Sequence, residues 1–135
     1  MRLIRNPLTV FILLGVVGII GMRVSAPYRH NREFTSKLSY FQKIISDLQT
    51  SGAAPPASFI KVPVPDGDRD MAYSILAERL GDGRLAVEFL TGGGFPVKHR
   101  GFLYLSSGSF GDFPQMASRW PKRTPLRDHW LYIGD

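Results

Sequence analysis

Four glycines surround a Lys-His-Arg triplet in Thr91-Gly92-Gly93-Gly94-Phe95-Pro96-Val97-Lys98-His99-Arg100-Gly101. Glycine lets successive backbone N–H groups curl into an anion-binding nest, and the three basic side chains would place charge around it. Gly93, Gly94, Lys98, His99 and Arg100 are therefore the candidate anion-binding residues, for a phosphate, a carboxylate or an anionic lipid headgroup. His99 adds a group that can move a proton near neutral pH, so a hydrolytic domain centred on 92–101 belongs to the same reading. No GxxxxGK[ST] spacing and no GxGxxG opening a helix is present, so no nucleotide fingerprint is complete. The plainer alternative is a long inter-strand loop whose glycines permit positive φ and whose basic residues stay in water.

Other chemistry-bearing residue types occur without the spacing their chemistry needs. Asp66-Gly-Asp-Arg-Asp70 begins like a calcium loop, but Met71 stands where that loop needs glycine and Ala77 where it needs a bidentate glutamate. A solvated turn is the expectation. Ser106, Ser107, Ser109, His99, His129, Asp112 and Asp128 supply the types of a hydrolytic triad, yet Ser107-Gly-Ser-Phe-Gly111 does not match the GxSxG elbow. The histidines include no pair at metal-ligand spacing such as HExxH, and His30 sits in a polar Tyr-Arg-His-Asn stretch. The chain has no cysteine, which excludes disulfides and thiol catalysis. No catalytic residue, metal or cofactor is assigned.

The C-terminal third interleaves Lys98, Arg100, Arg119, Lys122, Arg123 and Arg127 with Phe95, Phe102, Tyr104, Phe110, Phe113, Trp120, Trp130 and Tyr132. Such a mixture suits stacking on single-stranded nucleic acid, or a membrane interface with aromatic rings at headgroup depth and cations on anionic lipid. It also suits an ordinary aromatic core, with Arg119-Trp-Pro-Lys-Arg123 as a surface loop. Core ranks first, an interface with lipid or protein second, and nucleic acid last. Arg119, Trp120, Lys122, Arg123 and Trp130 are the candidate interface residues.

The chain opens with uncharged residues from Asn6 to Met22, flanked by Arg2 and Arg5 before and Arg23 after. At about 1.5 Å rise per residue this segment approaches the thickness of a bilayer core, which predicts an uncleaved, single-pass signal-anchor. Val24-Ser25-Ala26 offers a cleavage site for a signal peptidase, but Arg23 and Pro27 crowd it. Arg23, Arg29, Arg32 and Lys37 after the segment outnumber Arg2 and Arg5 before it and lean toward a cytoplasmic C-terminal domain, but a long downstream domain can translocate regardless of charge and a short leader normally stays inside, which predicts a C-terminal domain on the non-cytoplasmic side. The net charge is +6, of which three arginines fall within residues 1–26, so half of the basic signal belongs to the membrane flank.

After the anchor, Phe34, Leu38, Phe41, Ile45 and Leu48 recur at spacings of four and three, predicting an amphipathic helix over about 31–49 with Asn31 as N-cap. Ser51-Gly-Ala-Ala-Pro-Pro-Ala-Ser58 reads as a linker, and Gly52 with Pro55-Pro56 as the helix stop. Phe59 to Pro65 alternates at period two, but Pro63 and Pro65 restrict it to an edge strand. The run 72–80, then Gly81-Asp82-Gly83-Arg84, then Leu85 to Thr91 reads as a β-hairpin on its Asp-Gly step. Strands at Phe102–Ser106 and Trp130–Ile133 complete the set.

The expected fold is α+β: an N-terminal transmembrane helix, an amphipathic helix, then a small antiparallel sheet of four to five strands packed on that helix. The expected divisions are 1–26 as anchor, 27–58 as helix and linker, and 59–135 as the β domain. The function that follows is a membrane-tethered small binding or assembly module. Residues 6–22 would meet the bilayer, and the folded part a protein or envelope partner.

Overall fold

The computed structural model describes the backbone of residues 7–51, 58–94 and 97–134, and side chains outside 1–26, 52–58, 94–97 and 135. Its elements are α1 (Pro7–Ser51), β1 (Ser58–Val62), β2 (Ser74–Arg79), β3 (Leu85–Gly94), β4 (Val97–Leu105), α2 (Pro114–Arg119), β5 (Lys122–Arg127) and β6 (Trp130–Gly134), with 3-10 turns at Asp66–Asp68 and Phe110–Asp112. The fold is α+β, and its single antiparallel sheet has six strands in the order β1-β2-β3-β4-β6-β5. The chain divides into two compact units, Met1–Ser36 and Lys37–Asp135.

Within the first unit α1 already runs through Pro27 and Asn31, which corrects the expected helix start. Pro27 removes one N–H from the helical ladder, and the helix continues past it. Asn31 is consequently mid-helix, where its carbonyl accepts a hydrogen bond from Thr35 Oγ1 at 2.8 Å. Among the described residues no helix is long and apolar enough to cross a membrane. The apolar segment assigned to the anchor, residues 6–22, lies outside the residues whose side chains are described, as do the linker residues 52–57.

In the second unit the remainder of α1 lays its apolar stripe on one face of the sheet. Phe41 is fully buried and stacks on Phe89 with ring centroids 4.3 Å apart, within 5.7 Å of Phe102 and 5.8 Å of Trp130. Lys37 Nζ donates to the carbonyls of Asp70 and Met71 at 2.7 and 3.1 Å, and an Arg79 guanidinium N–H donates to the carbonyl of Leu48. Cross-strand partners share a face, so the registers Phe89↔Phe102 and Phe102↔Tyr132 place these rings under the helix. The opposite face carries Ala86, Leu90, Leu103, Leu105 and Ile133, covered by Phe113, Met116 and Trp120 from the segment between β4 and β5. Both faces being covered explains why β3 reads from Leu85 to Leu90 as an apolar run broken only by Glu88, instead of a strict alternation.

The Asp82-Gly83 hairpin joins β2 to β3 as its sequence predicts, with Gly83 at φ +87°. Asp82 accepts from the backbone N–H of Arg84 and then from its guanidinium, and these bonds hold its carboxyl below the usual carboxylate range. The sheet exceeds the expected four to five strands because Lys122–Arg127 is a strand, not part of a surface loop. Lys-Arg-Thr-Pro-Leu-Arg buries almost nothing, and Leu126 alone is half-buried. Its extended state comes from the ladder with β6, which apolar alternation cannot reveal.

Candidate functional site

The Gly92–Gly101 stretch is mostly strand. β3 continues to Gly94 and β4 starts at Val97, with Gly92 paired to Arg100 and Gly94 to Val97 across register shifts. The expected long loop is thus a bulged hairpin, because backbone groups that a nest would aim at a ligand bond across the ladder instead. Gly93 takes φ +104°, and a Cβ there would lie 2.2 Å from the carbonyl oxygen of Lys98, so only glycine fits the bulge.

The register carries this hairpin's basic residues to those of the last one. Arg100 is opposite Gly134, and Gly134 is opposite Lys122, so Gly92, Arg100, Gly134 and Lys122 form one row across four strands. Both glycines leave room for cations. A Cβ on Gly92 would lie 2.5 Å from Arg100 Nε, so the arginine side chain lies directly over that glycine. Gly134 gives the floor between Arg100 and Lys122. The adjoining row supplies Tyr132 and Thr124, and Lys98 stands two residues before Arg100 on the same face. Together they line a groove of about 450 Å³, to which His99 and Arg123 also contribute. Lys98, Arg100 and Lys122 are exposed, and among the described residues no carboxylate lines the groove.

The other candidate residues lie elsewhere. Trp130 belongs to the core beneath Phe41, 6% exposed, and Trp120 to the opposite core, 4% exposed, so neither offers its ring to a partner. Arg123 places its guanidinium 4.0 Å over the Phe110 ring and donates to the carbonyl of Trp120 at 3.3 Å. Arg119 donates through Nε and a terminal N–H to Glu88 at 3.2 and 3.3 Å. A smaller cavity of about 230 Å³ lies beside it, lined by Leu90, His99, Arg119 and Trp120.

Two buried acids went unread in the sequence. Glu88 is fully buried and accepts from the Trp120 indole N–H and from Arg119; Glu78, 2% exposed, accepts from the backbone N–H of Met116 at 3.1 Å. Met116 is the third residue of α2, whose first-turn N–H groups need acceptors, so Glu78 caps the helix from another strand. The signal for Glu88 was an acid inside the apolar run Leu85–Leu90, since a charge there requires a partner.

Three residues of the hydrolytic types have structural tasks. Ser106 Oγ accepts from the Leu85 N–H at 2.8 Å, and Asp112 pairs with Arg84 at 2.8 Å. His129 turns the chain at φ +67°, with Nδ1 2.9 Å from the Leu105 carbonyl. A carbonyl only accepts, so that nitrogen carries the proton. In the Asp66–Asp70 turn, Asp66 pairs with exposed Arg69 at 2.8 Å, and among the described residues no cluster of acids or histidines can hold a metal. No protein-family model, curated protein or solved structure matches the chain.

Proposed function

We propose that this chain is a single-pass, membrane-tethered binding module whose C-terminal domain, on the non-cytoplasmic side, holds an anionic ligand in the groove between Arg100 and Lys122. The observation that carries the reading is the row Arg100–Gly134–Lys122, in which a glycine floor separates two exposed cations from different hairpins. Lys98 adds a third positive charge and Thr124 a hydroxyl donor. The groove falls within the usual size range of small-molecule sites, and the positive charge of its described lining favours an anion in both rate and affinity. The tether rests on the uncharged run Asn6–Met22 and its arginine flanks.

The test uses the full chain in nanodiscs of neutral phosphatidylcholine, titrated calorimetrically at low ionic strength with phosphate, pyrophosphate and citrate. At least one anion is expected to bind, and Arg100→Glu or Lys122→Glu to weaken it by about tenfold or more, the equivalent of losing one good charge pair. Absence of binding by all three anions, or unchanged affinity in both variants, overturns the reading.

A further inference from the structure

The two ends of the sheet differ in charge, and α1 marks the end nearer the start of the chain. Lys37 Nζ reaches the carbonyls of Asp70 and Met71, just before β2 begins at Ser74, whereas the Leu48 carbonyl accepts from Arg79, where β2 stops. The helix therefore enters this unit at the end where β2 starts. Ser74 is opposite Leu90 and Leu90 opposite Gly101, and the row Arg100, Gly134, Lys122 follows one position farther out. The basic groove thus occupies the end at which α1 enters. Lys98, Arg100 and Lys122 are exposed there, and no described lining residue is acidic. Asp66, Asp68 and Asp70 stand at the other edge of the same end, in the turn before β2, where Arg69 pairs with Asp66 at 2.8 Å. At the far end the turns carry Asp82, Asp112 and Asp128 against Arg84 and Arg127.

Residues 23–36 alone separate the uncharged run Asn6–Met22 from Lys37, a reach of at most about 50 Å even fully extended. With that run in a bilayer, the headgroups of the same bilayer are held at high effective concentration near the groove. A phospholipid phosphate is met by a single guanidinium fork or ammonium, so it needs no fixed spacing among the cations. Tyr132 adds a half-buried ring of the type that sits at headgroup depth. From this placement we infer that the groove's anionic ligand is the headgroup of an acidic phospholipid in the chain's own bilayer, in whichever leaflet the folded part faces. The inference rests on the tethered, anion-binding reading and narrows its ligand to a lipid phosphate. Each exposed cation near such a surface adds an attraction that fades within a Debye length, about 10 Å at physiological salt.

The chain has no cysteine, so a single fluorophore can be attached at Pro121→Cys, beside the groove, or at Ser107→Cys, at the far end. Each labelled full chain is placed in nanodiscs of phosphatidylcholine alone or doped with phosphatidylglycerol, both holding a lipid with a quencher on its headgroup. With phosphatidylglycerol the Pro121→Cys label is expected to lose more fluorescence than the Ser107→Cys label. The difference is expected to vanish in neutral discs, and at about 1 M salt, where the Debye length falls to roughly 3 Å. Lys122→Glu is expected to lower the docked population about tenfold or more while keeping the parent's circular dichroism and melting transition. Equal quenching of both labels in the doped discs, with a soluble anion still bound in neutral ones, overturns the lipid assignment and leaves anion binding intact. Unequal quenching that persists in neutral discs, or that Lys122→Glu leaves unchanged, overturns the groove as the docking site. A chain that does not enter nanodiscs overturns the tether on which the inference rests.

Discussion

Tyr40 shows how a single atom can set a pH dependence. Its hydroxyl is buried and, among the described residues, has no hydrogen-bond partner. Burial, and secondarily the charges of Asp68 and Asp70, push its pKa above the ordinary tyrosine value. The folded protein thus favours the neutral phenol, and the unfolded chain ionises first as pH passes about 10. Stability from this group is complete below that pH and is lost as pH rises through the folded value. Tyr40→Phe removes an unsatisfied polar atom, so it is expected to leave neutral-pH stability unchanged or to raise it by up to about 1 kcal/mol. It should also flatten the alkaline loss of stability. Urea unfolding at neutral pH and above pH 10 checks this; an equally steep alkaline loss in the variant excludes Tyr40 as its source. None of this was legible from Tyr-Phe in a helical stripe, because the stripe reports which side is buried and not whether a hydroxyl there finds a partner.

At the level of elements, α2 is six residues long, far below the length at which a helix persists alone. Its Pro114 fits the first helical position, but no local side chain caps it. Two strand carboxylates latch it down instead, Glu78 at its first turn and Glu88 at Arg119 and Trp120. Replacing Glu88 with alanine leaves the indole N–H and a guanidinium without their acceptor, and is expected to cost about 3 kcal/mol. Glu88→Gln keeps a neutral acceptor for Trp120 and is expected to cost about 1.5 kcal/mol. Thermal melts give the two costs, and a red shift of tryptophan fluorescence in Glu88→Ala reports exposure of Trp120. Equal and small costs in both variants would show that apolar packing alone holds α2. The short helix escaped the sequence reading because its stabilising partners are 31 to 38 residues away.

For the whole molecule, the orientation of the proposed tether decides where the folded part resides. The flanking arginines lie on both sides of Asn6–Met22 and do not by themselves set an orientation, so the proposed non-cytoplasmic placement is decided by a fusion. A reporter active only outside the cytoplasm, fused after Asp135, is expected to be active in membranes. Silence of that fusion, with a cytoplasmic reporter active in its place, would reverse the orientation and expose the basic groove to the anionic inner leaflet.

Residue order alone determined the elements whose information is local. The stripe through Phe41 and Ile45, the Asp82-Gly83 hairpin and the edge position of β1 all follow from periodicity, turn chemistry and proline. The same order drew Lys98, His99 and Arg100 together and named Lys122 and Arg123 separately, without relating the two groups. Tertiary structure alone decided that Arg100 and Lys122 flank Gly134, that Trp120 and Trp130 are core, and that Glu78 and Glu88 serve α2. The reason is physical: periodicity encodes burial within one element, whereas a cross-strand row exists only after β6 has inserted between β4 and β5 and set both registers.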